Sequence, residues 1–234
     1  MVGSAGNYLI HPVSGPRQTG HRRCVERART VQAIDLANEM LKVAAEIARE
    51  EGVTNLTTRV MNAERLELDD SVFDAVICRY GLMLIPHLSQ ALSEIYRVLK
   101  PAGHLAAIVW STPESNPIFG IPFVILKKYV DMSVLPWAGE SGPFSLAAPG
   151  KFEGVLRAAG FRDVGAQTIP LLNCFASVDE VYASYKGVVA TVLQQMNETD
   201  RVQLEADIKQ ALRQFEVSDG VELPGQALLG YGTK

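Results

Sequence analysis

A parallel, doubly wound α/β sheet is the fold class this sequence predicts, and three observations predict it. Between residues 31 and 110, short apolar runs alternate with segments of helical period in the order strand, helix, strand, strand, helix, strand. The connections between them are short. The run Phe73 to Cys78 is apolar except for Asp74, as suits a strand buried on both faces.

Composition sets the outer bounds. The 234 residues, 47% hydrophobic and 21% charged, suit one globular domain with elaborations, whose core needs no disulfide or metal staple. A formal charge of −4 argues against a general nucleic-acid binder. The sign is uneven, because residues 1–30 hold five arginines against Glu26, net +4, leaving −8 for the rest. Cys24, Cys78 and Cys174, and His11, His21, His87 and His104, are scattered and match no metal or redox spacing. No apolar run approaches the roughly 18 residues of a membrane span. The expected setting is reduced and cytoplasmic.

Residues 1–30 form an atypical N-terminal segment. Tyr8-Leu9-Ile10 has the character of a short strand and Ser14-Gly15-Pro16 that of a turn. Val31 to Asp35 is a strand ending in an acid. The helix expected from Ala37 to Glu51 places Met40, Leu41, Ala44, Ile47 and Ala48 on one face, and Gly52 stops it. Thr57 to Met61 is the next strand, followed by the loop Asn62-Ala63-Glu64. After Phe73 to Cys78 comes a loop in which Arg79, Tyr80 and Leu82 would face a ligand, since open α/β sheets bind at the carboxyl ends of their strands. Leu88 to Leu99 is an amphipathic helix, ended by Lys100-Pro101-Ala102-Gly103, and Leu105 to Trp110 is a strand.

From about 111 to 149 the pattern changes to a proline-broken, aromatic-rich stretch with one helix, Ile118 to Val130. So much apolar surface without a strand suggests a cap over a pocket. A homo-oligomer packed through the cap is the other use of that surface. Further helices are expected at Gly150–Ala159, Val178–Met196 and Glu198–Phe215. A strand is expected near Phe161–Ile169, and a last one over Val221–Tyr231, broken at Leu223-Pro224-Gly225.

Asp35 ends its strand where a carboxylate can accept from both hydroxyls of a nucleoside ribose, and the next strand end presents Asn62-Ala63-Glu64 to the same crevice. Aspartate also caps helices. The order Ala33-Ile34-Asp35-Leu36…Met40-Leu41, Asn62-Ala63-Glu64-Arg65-Leu66, Phe73-Asp74-Ala75-Val76 and Arg97-Val98-Leu99-Lys100-Pro101-Ala102-Gly103 resembles class I S-adenosylmethionine-dependent methyltransferases. It is most similar to the small-molecule branch that includes the ubiquinone/menaquinone C-methyltransferases. The resemblance spans about 31–110 and continues more loosely to Ala158-Ala159-Gly160-Phe161.

It implies a Rossmann-like sheet with a helical cap and S-adenosylmethionine as cofactor. Asp35 would hold the ribose, Leu36 and Met40 would line the adenine, and Asn62 and Ala63 would read its edge. Arg79 and Tyr80 would lie near the methionine end. Three departures stand out. Asn62 replaces a usual aspartate, and Ala37 replaces a usual Ser or Thr cap. Nothing before Val31 matches the expected acidic, glycine-rich loop, whose place falls at Ser14 to Gly20. Replacement of the family's N-terminal segment is the favoured reading of that third departure.

The expected function is methyl transfer from S-adenosylmethionine to a small, largely apolar acceptor. Positioning carries such an in-line displacement, so no general base is mandatory; His87 is the candidate if one takes part. A non-catalytic binding or scaffolding subunit with a decayed cofactor site is the alternative. A nicotinamide oxidoreductase would need G-x-G-x-x-G about twenty residues before Asp35, which the sequence lacks.

Overall fold

The computed structural model describes residues 7–11, 28–131 and 141–234, with 7–11 described as backbone. The stretch Ser14 to Gly20, Cys24 and Trp137 lie outside the described residues. Strand β1 (Asn7–His11) is followed by β2 (Thr30–Asp35), α1 (Asn38–Glu50), β3 (Leu56–Val60), β4 (Phe73–Arg79), α2 (Leu88–Val98) and β5 (Leu99–Trp110). Then come α3 (Pro117–Leu126), α4 (Lys151–Ala158), β6 (Arg162–Phe175), α5 (Val178–Val188), α6 (Ala190–Gln195), α7 (Glu198–Leu212), β7 (Glu216–Val217) and β8 (Gly220–Thr233). The sheet order is β3-β2-β1-β4-β5-β8-β6, with β7 paired to β8.

The pairs β3/β2, β2/β1, β1/β4 and β4/β5 are all parallel. The expected mostly parallel α/β sheet is therefore observed. Tyr8-Leu9-Ile10 takes a central place, with Leu9 opposite Gln32 on one side and Val76 on the other. A central position requires partners on both edges for every backbone group, and this short segment supplies them.

The chain divides into two compact units. The first comprises Met1–Val109, Pro149–Gln167 and Leu229–Lys234. Its helix α2 buries Ala91, Leu92, Ile95 and Val98, the face that helical spacing predicts. On α1, by contrast, only Leu41 and Ala48 of the five expected residues are fully buried. The second unit comprises Trp110–Ala148 and Thr168–Leu228. Its own core joins Ile118, Phe123, Ile125 and Leu126 of α3 to Val181, Tyr182 and Tyr185 of α5 and Leu204, Ile208 and Leu212 of α7.

Phe119, Phe123 and Tyr129, which the sequence places in the cap, are thus spent on this unit's interior. Phe123 packs edge-on to Tyr185 with ring centroids 5.9 Å apart, and the Tyr129 hydroxyl donates to Asp207 Oδ2 at 2.9 Å. Asn116, fully buried at the start of α3, donates to the Thr112 and Gln226 carbonyls and accepts from the Gln226 N–H, each at 3.0 Å. A side-chain amide has the donor and acceptor needed to stand in for a strand residue there.

Several element boundaries differ from the sequence expectation; α3, for one, ends at Leu126 and not at Val130. β5 begins at Leu99 and not at Leu105, because Lys100-Pro101-Ala102-Gly103 is accommodated as an irregularity within the strand. Leu99 pairs with Phe73 and His104 with Ala75, so those four residues face Asp74 alone. Ala102 turns through φ 62° there. A Cβ on Gly103 would lie 2.8 Å from the Lys100 carbonyl oxygen, so the bulge needs its glycine. β6 runs on to Phe175, past Ile169.

The expected single helix 178–196 divides at Val189, whose φ of −109° leaves the helical region. Gly187 and the β-branched residues around it are poor helix formers. β8 runs unbroken through Pro224, although it lies between β5 and β6. The neighbouring Leu223 carbonyl accepts from Asn173 Nδ2 at 3.3 Å, so a side chain contributes to the pairing beside the proline.

Candidate functional site

Because β2, β1, β4 and β3 are parallel, their carboxyl ends share one edge of the first unit's sheet. Asp35 ends β2 opposite Val60, the last residue of β3. One step further, the Met61 N–H donates to the Asp35 carbonyl at 3.1 Å, which brings Asn62 and Ala63 next to Asp35. Arg79 ends β4 and Tyr80 follows it, two strand spacings away across β1, or about 10 Å. Burial raises the Cys78 thiol at the end of β4, and the Asp35 charge adds to that rise.

Asp35 has a structural duty here. Its Oδ1 accepts from the Ala37 N–H at 2.8 Å, and Ala37 itself caps α1 with no side-chain bond. The missing Ser or Thr cap is thereby offset from two residues upstream. Leu36, beside it, is 68% exposed, and Met40 is half-buried.

Asn62 Oδ1 accepts from the Glu64 N–H at 2.9 Å, so the amide oxygen closes its own turn. That bond engages one of the two lone pairs of the oxygen that stands where the family has an aspartate. Ala63 is half-buried. Glu64 Oε1 accepts from the His87 N–H at 3.0 Å, which ties the same loop to the start of α2. His87 is exposed and its ring makes no capping bond. Leu82 is buried at 1% exposed, so it does not lie open beside Arg79 and Tyr80.

The loop after β4 is held in a costly conformation. Tyr80 has φ 53°, in the left-handed region that tyrosine seldom adopts, and its N–H donates to the Ile108 carbonyl at 2.7 Å. The Arg79 guanidinium lies 5.4 Å from the Tyr80 ring centroid. Burial pulls the Arg79 guanidinium below its ordinary value, and the Tyr80 hydroxyl acts the other way. Burial likewise pushes the Tyr80 phenol up, and Arg79 acts against it. A half-buried cation and ring at a parallel-sheet edge suit an elongated ligand that carries negative charge at one end. Among the described residues, no group of three His, Cys, Asp or Glu side chains could hold a metal ion, and no helix is long and apolar enough to cross a membrane.

Sequence reasoning missed the side chains that hold the loop 62–70. Arg97 donates to Glu94 Oε1 and Oε2 and to the carbonyls of Leu66 and Leu68, each at 2.8 Å, and to Asp70 Oδ1 at 2.6 Å. The Glu94/Arg97 spacing of three on a helix signalled the pair itself, but not the loop it grips.

A model of the ubiE/COQ5 methyltransferase family matches residues 14–141, more than half of the chain. The match begins ahead of Val31, where the sequence resemblance starts. A ubiquinone/menaquinone biosynthesis C-methyltransferase, UbiE of Brucella abortus (strain S19), is 39% identical over 115 residues, covering 49% of this chain and 39% of that protein. The chain spans about two-fifths of the length of the curated relatives it matches.

Among solved structures, the YcgJ protein of Bacillus subtilis superposes with a TM-score of 0.62 at 19% identity, over 99% of this chain and 92% of that one. A putative methyltransferase from Bacillus halodurans C-125 gives 0.61 at 20% identity, over 100% and 94%. At these identities the likeness shows the Rossmann-like fold.

Proposed function

The chain belongs to the ubiE/COQ5 methyltransferase family, and from that membership we propose that it transfers a methyl group from S-adenosylmethionine to a small, largely apolar acceptor. The observation that carries this reading is the row of Asp35, Asn62-Ala63 and Arg79-Tyr80 at neighbouring ends of parallel strands. From β3 to β4 the row crosses three strand spacings, about 15 Å, which suits a nucleoside joined to an amino-acid tail.

Bound there, S-adenosylmethionine would supply an electrophilic methyl on a sulfonium. The residues present fit its nucleoside end. Asp35 would accept from the ribose hydroxyls through its carboxylate. The exposed Leu36 and the half-buried Met40 would cover the adenine face, and the Asn62 amide with the Ala63 backbone would meet its edge. Arg79, half-buried and backed by Tyr80, would attract a carboxylate tail. Since the leaving group is neutral and the methyl moves in line, orientation and exclusion of water are the protein's main contributions. His87, whose backbone N–H donates to Glu64, has an exposed ring, and a part for it would be limited to taking up the acceptor's proton.

The acceptor is assigned only by class. The family match ends at residue 141, so Thr168–Leu228 of the second unit lies outside it. An apolar acceptor is proposed from the family match alone, because Phe119, Phe123 and Phe144 pack against one another in that unit's own core. Calorimetric titration with S-adenosylhomocysteine tests the reading. Saturable binding to wild type, weakened by Asp35→Asn, is the expected result. Absence of binding by the folded protein would remove the cofactor assignment.

A further inference from the structure

The loop between β3 and β4 lacks ladder bonds, yet three successive carbonyls in it are held by guanidinium groups. Leu66 and Leu68 accept from Arg97 at 2.8 Å, and Glu67, between them, accepts from Arg59 Nη1 at 3.0 Å. Arg59 also pairs with the Glu67 carboxylate. On the donor side, the Leu66 N–H reaches Glu94 Oε2 at 2.8 Å. Arg97 places its Nε and both terminal nitrogens on four different residues. At the loop's start, Asn62 accepts from Glu64 and Arg65, and Glu64 accepts from His87.

An exposed ion pair contributes little by itself. This arrangement differs, because the Arg97 side chain is 30% exposed and that of Glu94 21%. A planar fork that spans two backbone carbonyls and two carboxylates also fixes direction as well as charge. A surface staple for α2 would need only Glu94. The carbonyl contacts act on the loop.

We propose that Arg97 and Glu94 are positioning residues of the candidate cofactor site, holding loop 62–70 so that Asn62 and Ala63 meet the ligand already ordered. The inference rests on the cofactor reading above for the identity of that ligand, and on the loop geometry alone for the clamp. A pre-ordered loop loses less conformational freedom when it binds, so loosening it weakens cofactor affinity and leaves acceptor KM unchanged.

Arg97→Lys keeps the charge and removes the fork, and Glu94→Gln removes the carboxylate under Leu66. Each is compared with wild type by amide exchange over Ala63 to Leu68 and by titration with S-adenosylhomocysteine. Arg97→Lys is expected to speed exchange in that stretch while Ile34 and Val76 stay protected, and to raise Kd about tenfold or more, with Glu94→Gln a milder case. Unchanged loop exchange in both variants overturns the clamp, as does acceleration spread equally over Ile34 and Val76, which marks a purely structural role. If wild type binds no S-adenosylhomocysteine, the cofactor reading fails, and the exchange data decide the clamp by themselves.

Discussion

Asp35 accepts from the Ala37 N–H and is proposed to hold a ribose through the same carboxylate, and substitutions can separate the two. Asp35→Ala removes the acceptor for the Ala37 N–H, at about 1 kcal/mol of helix stability. It also removes the charge proposed to hold a ribose, where each lost bond to a charged acceptor costs about 1.5–3 kcal/mol, or roughly ten- to a hundredfold in Kd. Asp35→Asn keeps a good capping oxygen. It should therefore melt close to wild type while still binding S-adenosylhomocysteine weakly, and a titration beside a melting curve checks both halves. If the Asp35→Asn variant binds like wild type, the carboxylate is only a cap. Cys78 offers a second test at this scale. Burial pushes its thiol up to about 11 from 9.0, with Leu82 and Gly81 N–H groups acting against burial and Asp35 reinforcing it. The folded state therefore keeps the proton longer than the unfolded state. Its contribution is complete below pH 9 and is lost as pH rises towards 11, by at most about 2–3 kcal/mol. Melting curves at pH 8 and 10.5 should show a larger drop for wild type than for Cys78→Ala. The exposed Cys174 should react with alkylating reagents at pH 8 well before Cys78 does.

Elements here depend on side chains borrowed from their neighbours. α7 starts on Asn197, whose Oδ1 accepts from the Asp200 N–H at 2.9 Å, and α5 starts on Ser177, whose Oγ accepts from Glu180 at 3.2 Å. Such caps are readable in sequence as polar residues just ahead of a helical pattern. The start of α3 is not readable in that way. Gly120 lies inside this helix, where alanine is ordinarily the better residue by about 1 kcal/mol. Yet a Cβ there would come within 2.3 Å of the Pro113 carbonyl oxygen. Gly120→Ala should therefore destabilise the protein by about 1–3 kcal/mol despite its better propensity. Chemical denaturation measures this directly, and a stabilised variant would show that Pro113 yields without cost.

At the scale of the whole molecule, the sheet depends on the five residues of β1, which pair with both β2 and β4. Without them two strands would expose unpaired backbone groups, each costing about 1–3 kcal/mol when buried, against a total stability of roughly 5–15 kcal/mol. Amides of Ile34 and Val76 should exchange slowly, and those of Leu9 and Ile10 should be protected with them. Protection of the first pair alone would mean that another segment completes the sheet.

Period and punctuation in the sequence determined four of the five parallel strands, the buried face of α2 and the strand-end placement of Asp35, Asn62 and Arg79, while Tyr8-Leu9-Ile10 showed only the character of a short strand. These features depend on neighbours a few residues apart, where apolar spacing and glycine or proline act directly. What only the tertiary structure decided is of longer range. Phe123 and Tyr129 went to a second core shared with α5 and α7, because residues up to some ninety positions away were free to bury them. Asn62 turned its oxygen inward, and Tyr80 took a left-handed backbone. Arg97 reached across to Leu66, Leu68 and Asp70, 27 to 31 residues back in the chain. A guanidinium has five donors and no directional mark in the sequence, so its partners are set by whichever carbonyls the packed chain leaves within reach.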